Sequence, residues 1–164
     1  MLSRIRNRER GFTLIELLIV IAIIGILAAI AIPNLLNAVQ RGKQKRTMSD
    51  MRTMATAIEA YAVDNNVYPQ GTCTTASYTV TDTTMDNSSL SLLSPTYIAN
   101  PVRKDGWDAF FLYGAPTSGQ EYCLVSRGRN KSTDSITCVT TTNFNSDIVY
   151  SNGGFVQFPE GAQN

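Results

Sequence analysis

With 14 Lys and Arg against 13 Asp and Glu over 164 residues, the chain has a net charge of +1, suits one domain of ordinary size and lacks the basic excess that marks nucleic-acid binding. It contains no histidine, which removes Ser-His-Asp and Cys-His activation of a nucleophile and the commonest zinc ligand. Beyond Pro33 the charged residues are scattered rather than convergent in sequence, so an enzyme is not expected. A mean hydropathy near zero hides an apolar first fifth and a polar, Ser/Thr/Asn-rich remainder.

Residues 1–11 hold Arg4, Arg6, Arg8 and Arg10 against Glu9, a bias that favours the cytoplasmic side of a membrane. From Phe12 to Ile32, twenty-one residues are interrupted only by Thr13 and Glu16. At about 1.5 Å per residue a helix over this stretch reaches roughly 30 Å, the thickness of a bilayer's hydrocarbon core. Glu16 stands inside it, where a charge costs on the order of 2.5–3.5 kcal/mol, so it needs a partner. A secretory signal peptide has its small-residue cleavage site after the apolar region; here Gly11 stands before it, and a cut there leaves the helix attached.

Gly11-Phe12-Thr13-Leu14-Ile15-Glu16-Leu17, the apolar run behind it and Pro33 together resemble the class III signal of type IV pilins and type II secretion pseudopilins, over about a fifth of the chain. The resemblance implies that prepilin peptidase cuts after Gly11 and methylates the new amino terminus, Phe12. It also implies that Glu16 pairs with the terminal amine of a neighbouring subunit and so sets the axial step of a filament. A buried carboxylate and a buried ammonium are each costly alone and much less so together. The expected precursor is a single-pass inner-membrane protein with its amino terminus in the cytoplasm. The expected partners are identical subunits in a helical filament, the peptidase, and an inner-membrane assembly platform with its ATPase. The domain reading is a leader at 1–11, a long helix at 12–66 with 12–32 as transmembrane segment and filament core, and a head at 67–164. Without the leader, 10 Lys and Arg face 12 Asp and Glu, a net charge of −2.

Along the helix, Gly25 and Pro33 are weak points, since Gly costs up to about 1 kcal/mol in a helix interior and Pro deletes a hydrogen bond. They predict a kink or local melt, or else a close helix approach at Gly25 and a simple bend at Pro33. Arg41, Lys43, Lys45 and Arg46 then read either as a collar at the membrane surface or contacts to acidic groups of neighbouring subunits, or as a solvated helix face. Residues 48–66 turn amphipathic, with Met51, Met54, Ala55, Ile58, Tyr61 and Ala62 at three- and four-residue spacing, the pattern of core packing. Asn65-Asn66 and Pro69 end the helix.

Twelve of the twenty-three residues from Thr72 to Ser94 are Ser or Thr, which predicts a loop with at most a short strand around Tyr78-Thr79-Val80-Thr81. Asn87-Ser88-Ser89 and Asn130-Lys131-Ser132 fit a glycosylation acceptor pattern, although a plain solvated loop is the better reading. Gly128 to Thr133 has the look of the end of a phosphate-binding loop, but Asn130 replaces the Gly before Lys131 and no helix pattern follows. Strands are expected at Phe110-Phe111-Leu112-Tyr113, at 121–126, at Ile136-Thr137-Cys138-Val139, at Ile148-Val149-Tyr150-Ser151 and at Phe155-Val156-Gln157-Phe158 after an Asn152-Gly153-Gly154 turn. The fold class is α+β, a long amino-terminal helix packed on a carboxy-terminal antiparallel sheet, as in type IV pilins.

Asp64 to Pro69, Lys104 to Asp108, Tyr122 to Arg129 and Asp147 to Gly153 resemble the major pseudopilin branch piecewise, while the long Ser/Thr loop and the cysteines depart from it. The leading function is thus a major pilin of an extracellular filament. The alternatives are a major pseudopilin of a type II secretion system and a membrane-anchored binding domain that uses a pilin-type signal. No cofactor is expected, except that the resemblance implies a calcium loop to which Asn143, Asn145 and Asp147 would contribute, with one carboxylate for a cation that takes six to eight oxygens. Cys73, Cys123 and Cys138 include no C-x-x-C pair, and an exported domain keeps a disulfide. Pairing Val125 with Ile136 across a hairpin would set Cys123 opposite Cys138, leaving Cys73 as the odd cysteine.

Overall fold

The computed structural model describes residues 11–70, 73–74, 79–80, 91–115, 119–134 and 136–160, with the backbone alone at 73–74 and 79–80. The element order is α1 (Leu14–Asn65), β1 (Cys73–Thr74), β2 (Thr79–Val80), β3 (Leu112–Gly114), β4 (Cys123–Ser126), β5 (Thr140–Thr141), β6 (Ile148–Ser151) and β7 (Gly154–Pro159). By its contacts the chain divides into two units, residues 1–36 and residues 37–164.

In the first unit α1 is bare. Every large apolar side chain from Leu14 to Leu36 is between 45 % and 80 % exposed, and the helix is long and apolar enough to cross a membrane. The helix continues without interruption through Gly25 and Pro33. Pro33 leaves one carbonyl of the ladder without its amide donor. One residue on, the Asn34 side chain donates to the Ile30 carbonyl at 3.1 Å.

The second unit is a helix on a sheet. Met51, Met54, Ala55 and Ile58 come from one stripe of α1 and share a core with Phe111, Tyr113, Tyr122, Leu124, Ile148 and Tyr150. The sheet runs β3-β4-β6-β7-β5. Its first three pairings are antiparallel and β5 lies parallel to β7, which makes the sheet mixed rather than purely antiparallel. Alternate residues point away from the helix: Leu112, Cys123, Val125 and Val149 form a second, smaller cluster with Ile136 and Val156 against them. Both faces of the central strands are therefore covered, and β3, β4 and β6 are buried throughout.

Local chemistry sets the ends. Asn66 takes φ 57°, the left-handed position that closes a helix, directly after Asn65. The β6–β7 hairpin turns on Asn152 and Gly153 at φ 46° and 88°, the pair of positive values a two-residue hairpin turn needs. The register between those strands shifts at Val149/Tyr150, a bulge.

One expected strand did not form, and with it falls the expected disulfide. β4 is hydrogen-bonded on one side to β3 and on the other to β6, so Val125 faces Leu112 and Val149 and has no edge left for Ile136. Residues 136–139 are not a strand. Cys138 is exposed and free at φ 55°, while Cys123 is buried and disulfide-bonded, so the pairing of Cys123 with Cys138 is corrected and Cys138 is the odd cysteine. The side chain of Cys73, and the sequon at Asn87, lie outside the described residues.

Candidate assembly site

Gly11, Phe12 and Thr13 precede the helix in an irregular stretch, so the Gly11–Phe12 peptide lies outside the hydrogen-bonded ladder. A Cβ placed on Gly11 would meet nothing within 4 Å. Among the described residues no packing contact asks for glycine at this position.

Thr13 and Glu16 form a reciprocal cap. The Thr13 amide donates to Glu16 Oε2 at 2.9 Å, the Thr13 hydroxyl donates to the same oxygen at 2.6 Å, and the Glu16 amide donates to Thr13 Oγ1 at 3.3 Å. Free amides at a helix start are thereby satisfied, and the carboxylate sits at the positive end of the helix dipole. The cap gives Glu16 a local partner in the single subunit and holds its side chain on the turn that carries Phe12. The Thr-x-x-Glu spacing announces such a cap in sequence, and Thr13 is the site residue that the motif reading passed over.

Further down, a second device fixes α1 to the head. Asp105 is buried, with Oδ1 accepting the amides of Trp107 and Ala109 at 2.9 Å each and Oδ2 accepting the Ser126 hydroxyl at 2.7 Å. The loop so shaped reaches the helix: the Gly106 amide donates to Thr47 Oγ1 at 2.9 Å and Trp107 Nε1 to Gln40 Oε1 at 2.7 Å. Gly106 rests so closely on the Lys43 carbonyl that a side chain there has no room. The loop-to-helix contacts do not follow from spacing, because each joins positions about 60 residues apart.

Of the basic cluster, Arg46 pairs with Asp50 at 3.5 Å, whereas Arg41 and Lys45 are exposed and make no ion pair among the described residues. The proposed calcium trio does not converge. Asn143 Oδ1 accepts the Asn145 amide at 2.9 Å, and Asn145 Oδ1 accepts Arg129 Nε at 2.9 Å, so a guanidinium already stands where a dication would need oxygen. Asp147 is buried, with Oδ2 accepting the Asp134 amide at 3.1 Å and Oδ1 without a hydrogen-bond partner among the described residues. Its burial pushes the carboxyl up to about 7, against the pull of that amide. No group of three His, Cys, Asp or Glu side chains converges among the described residues, and these residues do not fit calcium.

An exposed apolar helix with a capped start, joined to an α+β head, defines a subunit with the pilin-like fold. Two family models agree: residues 6–32 match the prokaryotic N-terminal methylation motif, and residues 34–148 match type II secretion system protein G. Among similar proteins, the type II secretion system core protein G of Dickeya chrysanthemi is 30 % identical over 78 % of this chain and 75 % of its own length. That of Pectobacterium carotovorum subsp. carotovorum is 40 % identical over 38 % of this chain and 40 % of its own length. The type IV major pilin protein PilA of Myxococcus xanthus is 48 % identical over 40 % of this chain and 30 % of its own length. No solved structure matches the chain. The chain belongs to the type II secretion system protein G family, whose members are structural pilin-like subunits.

Proposed function

We propose that this chain is a major pilin: a structural, non-enzymatic subunit made as an inner-membrane precursor, cut after Gly11, methylated on Phe12 and polymerised through residues 12–36 into an extracellular pilus-like filament. One observation carries the reading. Sixteen large apolar side chains from Phe12 to Leu36 are bared to solvent. At roughly 1.5–3 kcal/mol for each that is fully buried, their exposure in water is untenable by tens of kcal/mol. A membrane covers them before assembly and copies of the same helix cover them after it. Glu16 then exchanges its Thr13 cap for the terminal ammonium of a neighbour. Gly25 and Pro33 supply the places where the helix yields as it packs.

A second reading, a major pseudopilin in a protein-export machine, is favoured by the protein G match, which extends across most of the head. Deleting the chain's gene separates the two. Loss of sheared surface filaments under the electron microscope supports the pilus, and loss of exported proteins with surface filaments intact supports the pseudopilus. Intact-mass measurement on filaments is expected to find chains that start at N-methyl Phe12; chains that keep Met1 would defeat both readings.

A further inference from the structure

Near its carboxy-terminal end α1 borders an open groove of about 470 Å³, lined by Glu59, Val63, Asn66, Val67, Tyr68 and the Asn152-Gly153 turn among others. Glu59 Oε1 accepts the Tyr122 hydroxyl at 2.7 Å. No cation pairs with Glu59 among the described residues, where the ion pairs are Arg46–Asp50 and Lys104–Asp108. Burial first, and Glu59 second, push the hydroxyls of Tyr68, Tyr122 and Tyr150 up, with Arg52 pulling the last of them the other way. The carbonyl end of α1 adds to that potential, and its last turn has no basic residue.

Beside this carboxylate Val63 and Val67 lie exposed, at 79 % and 42 %. Apolar surface next to an anion matches a lysine or arginine side chain, which lays its stem on the one and its head on the other. The chain carries such side chains in Arg41 and Lys45, one helical turn apart, exposed and without an ion pair among the described residues. They cannot reach Glu59 of their own chain: fourteen residues of continuous helix separate Lys45 from Glu59, about 21 Å. A parallel copy displaced by about that length along the helix axis brings the two to one height.

We infer that the groove at Glu59 receives the basic face formed by Arg41 and Lys45 of a second copy of this chain. The contact rests on the filament reading, and it would tie successive heads together while the apolar segments pack among themselves. It turns the basic cluster from a collar at the membrane into half of a joint between subunits.

A zero-length carbodiimide, which joins a carboxylate to an amine in direct contact, tests this on native filaments. Peptide mapping is expected to find Glu59 joined to Lys45, a product that the helix forbids within one chain. Lys45→Arg keeps the charge and removes the reactive amine, so it should form filaments and lose the product. Glu59→Gln keeps an acceptor for Tyr122; it should also lose the product and give filaments that dissociate at lower salt than wild type. Wild-type filaments that yield no Glu59–Lys45 product, or that join Glu59 elsewhere, would overturn the contact and leave the filament reading standing. Absence of any filament would overturn both.

Discussion

Between Leu14 and Leu36 the helix presents Leu and Ile on every side and buries none of them; between Gln44 and Ile58 it buries a residue every three or four and turns charge to solvent. The backbone does not mark the change, since the same ladder carries both halves. The second half has a fixed partner, a sheet whose inner face matches its stripe, and is complete within the chain. The first half has none among the described residues, and the proposed membrane or assembly would supply it. On the filament reading proposed above, the chain separates folding from polymerisation along a single helix, and substitutions in the two halves should separate in the same way.

The largest effect is expected at Glu16. On the proposed pairing, Glu16→Val would remove a charge from hydrocarbon and let insertion and processing proceed, while it would leave the neighbour's ammonium buried alone at about 3–5 kcal/mol, a hundredfold or more in assembly. Normal filament yield from that variant, with the membrane fraction as control, would show that the first half needs no ionic registration. In the head the corresponding lever is the disulfide. With Cys138 free and Cys123 bonded, an unreduced peptide map should join Cys123 to Cys73, a loop of about 50 residues worth around 4 kcal/mol in the chain-entropy model. Cys123→Ala should lower the urea midpoint of the head accordingly and leave membrane insertion alone, whereas Cys138→Ser should move neither. A Cys123–Cys138 peptide as the main species contradicts the observed register.

Smaller effects sharpen the boundary. Gly106→Ala drives a methyl group into the Lys43 carbonyl and should cost the head about 1–3 kcal/mol, read by chemical denaturation, with Gly11 processing unchanged. Asp147 predicts a pH dependence confined to the head. Its carboxyl is raised to about 7 when folded, above an unfolded value near 4, so its contribution is greatest in acid and declines as pH rises through that window, by at most about 1.4 kcal/mol per pH unit. Comparing urea midpoints at the two ends of the window in wild type and Asp147→Asn checks the sign, and the variant should flatten the profile. The smallest change is Thr13→Ala, which removes the cap at about 1 kcal/mol and frays the first turn. Amide exchange at residues 14–17 reads it, with no change in the head.

Much of this organisation is legible from spacing. Twenty-one nearly unbroken apolar residues, a Gly at their start, one acid within them and a stripe at three- and four-residue intervals are local facts, and local facts are what period and propensity report. The Asn152-Gly153 hairpin belongs with them, because a positive φ at two successive residues is a demand that Asn and Gly meet by themselves. The Thr13 cap was within reach of the same reasoning.

What spacing did not reach is everything decided by partners distant in sequence. Residues 136–139 alternate well enough for a strand, yet β4 has two edges and both were taken, one by β3 and one by β6. Once β6 claimed that edge, Cys138 was left in a bend and Cys123 faced into the rear cluster, so the cysteine partnership changed with the strand order. Gly106 against Lys43, Trp107 on Gln40 and the Tyr122 hydroxyl on Glu59 are of the same kind. The sequence alone determined that one part of the chain must be covered by something other than itself. Only the tertiary structure decided which strands share an edge, because competition for a limited number of hydrogen-bonding edges is settled among all segments at once.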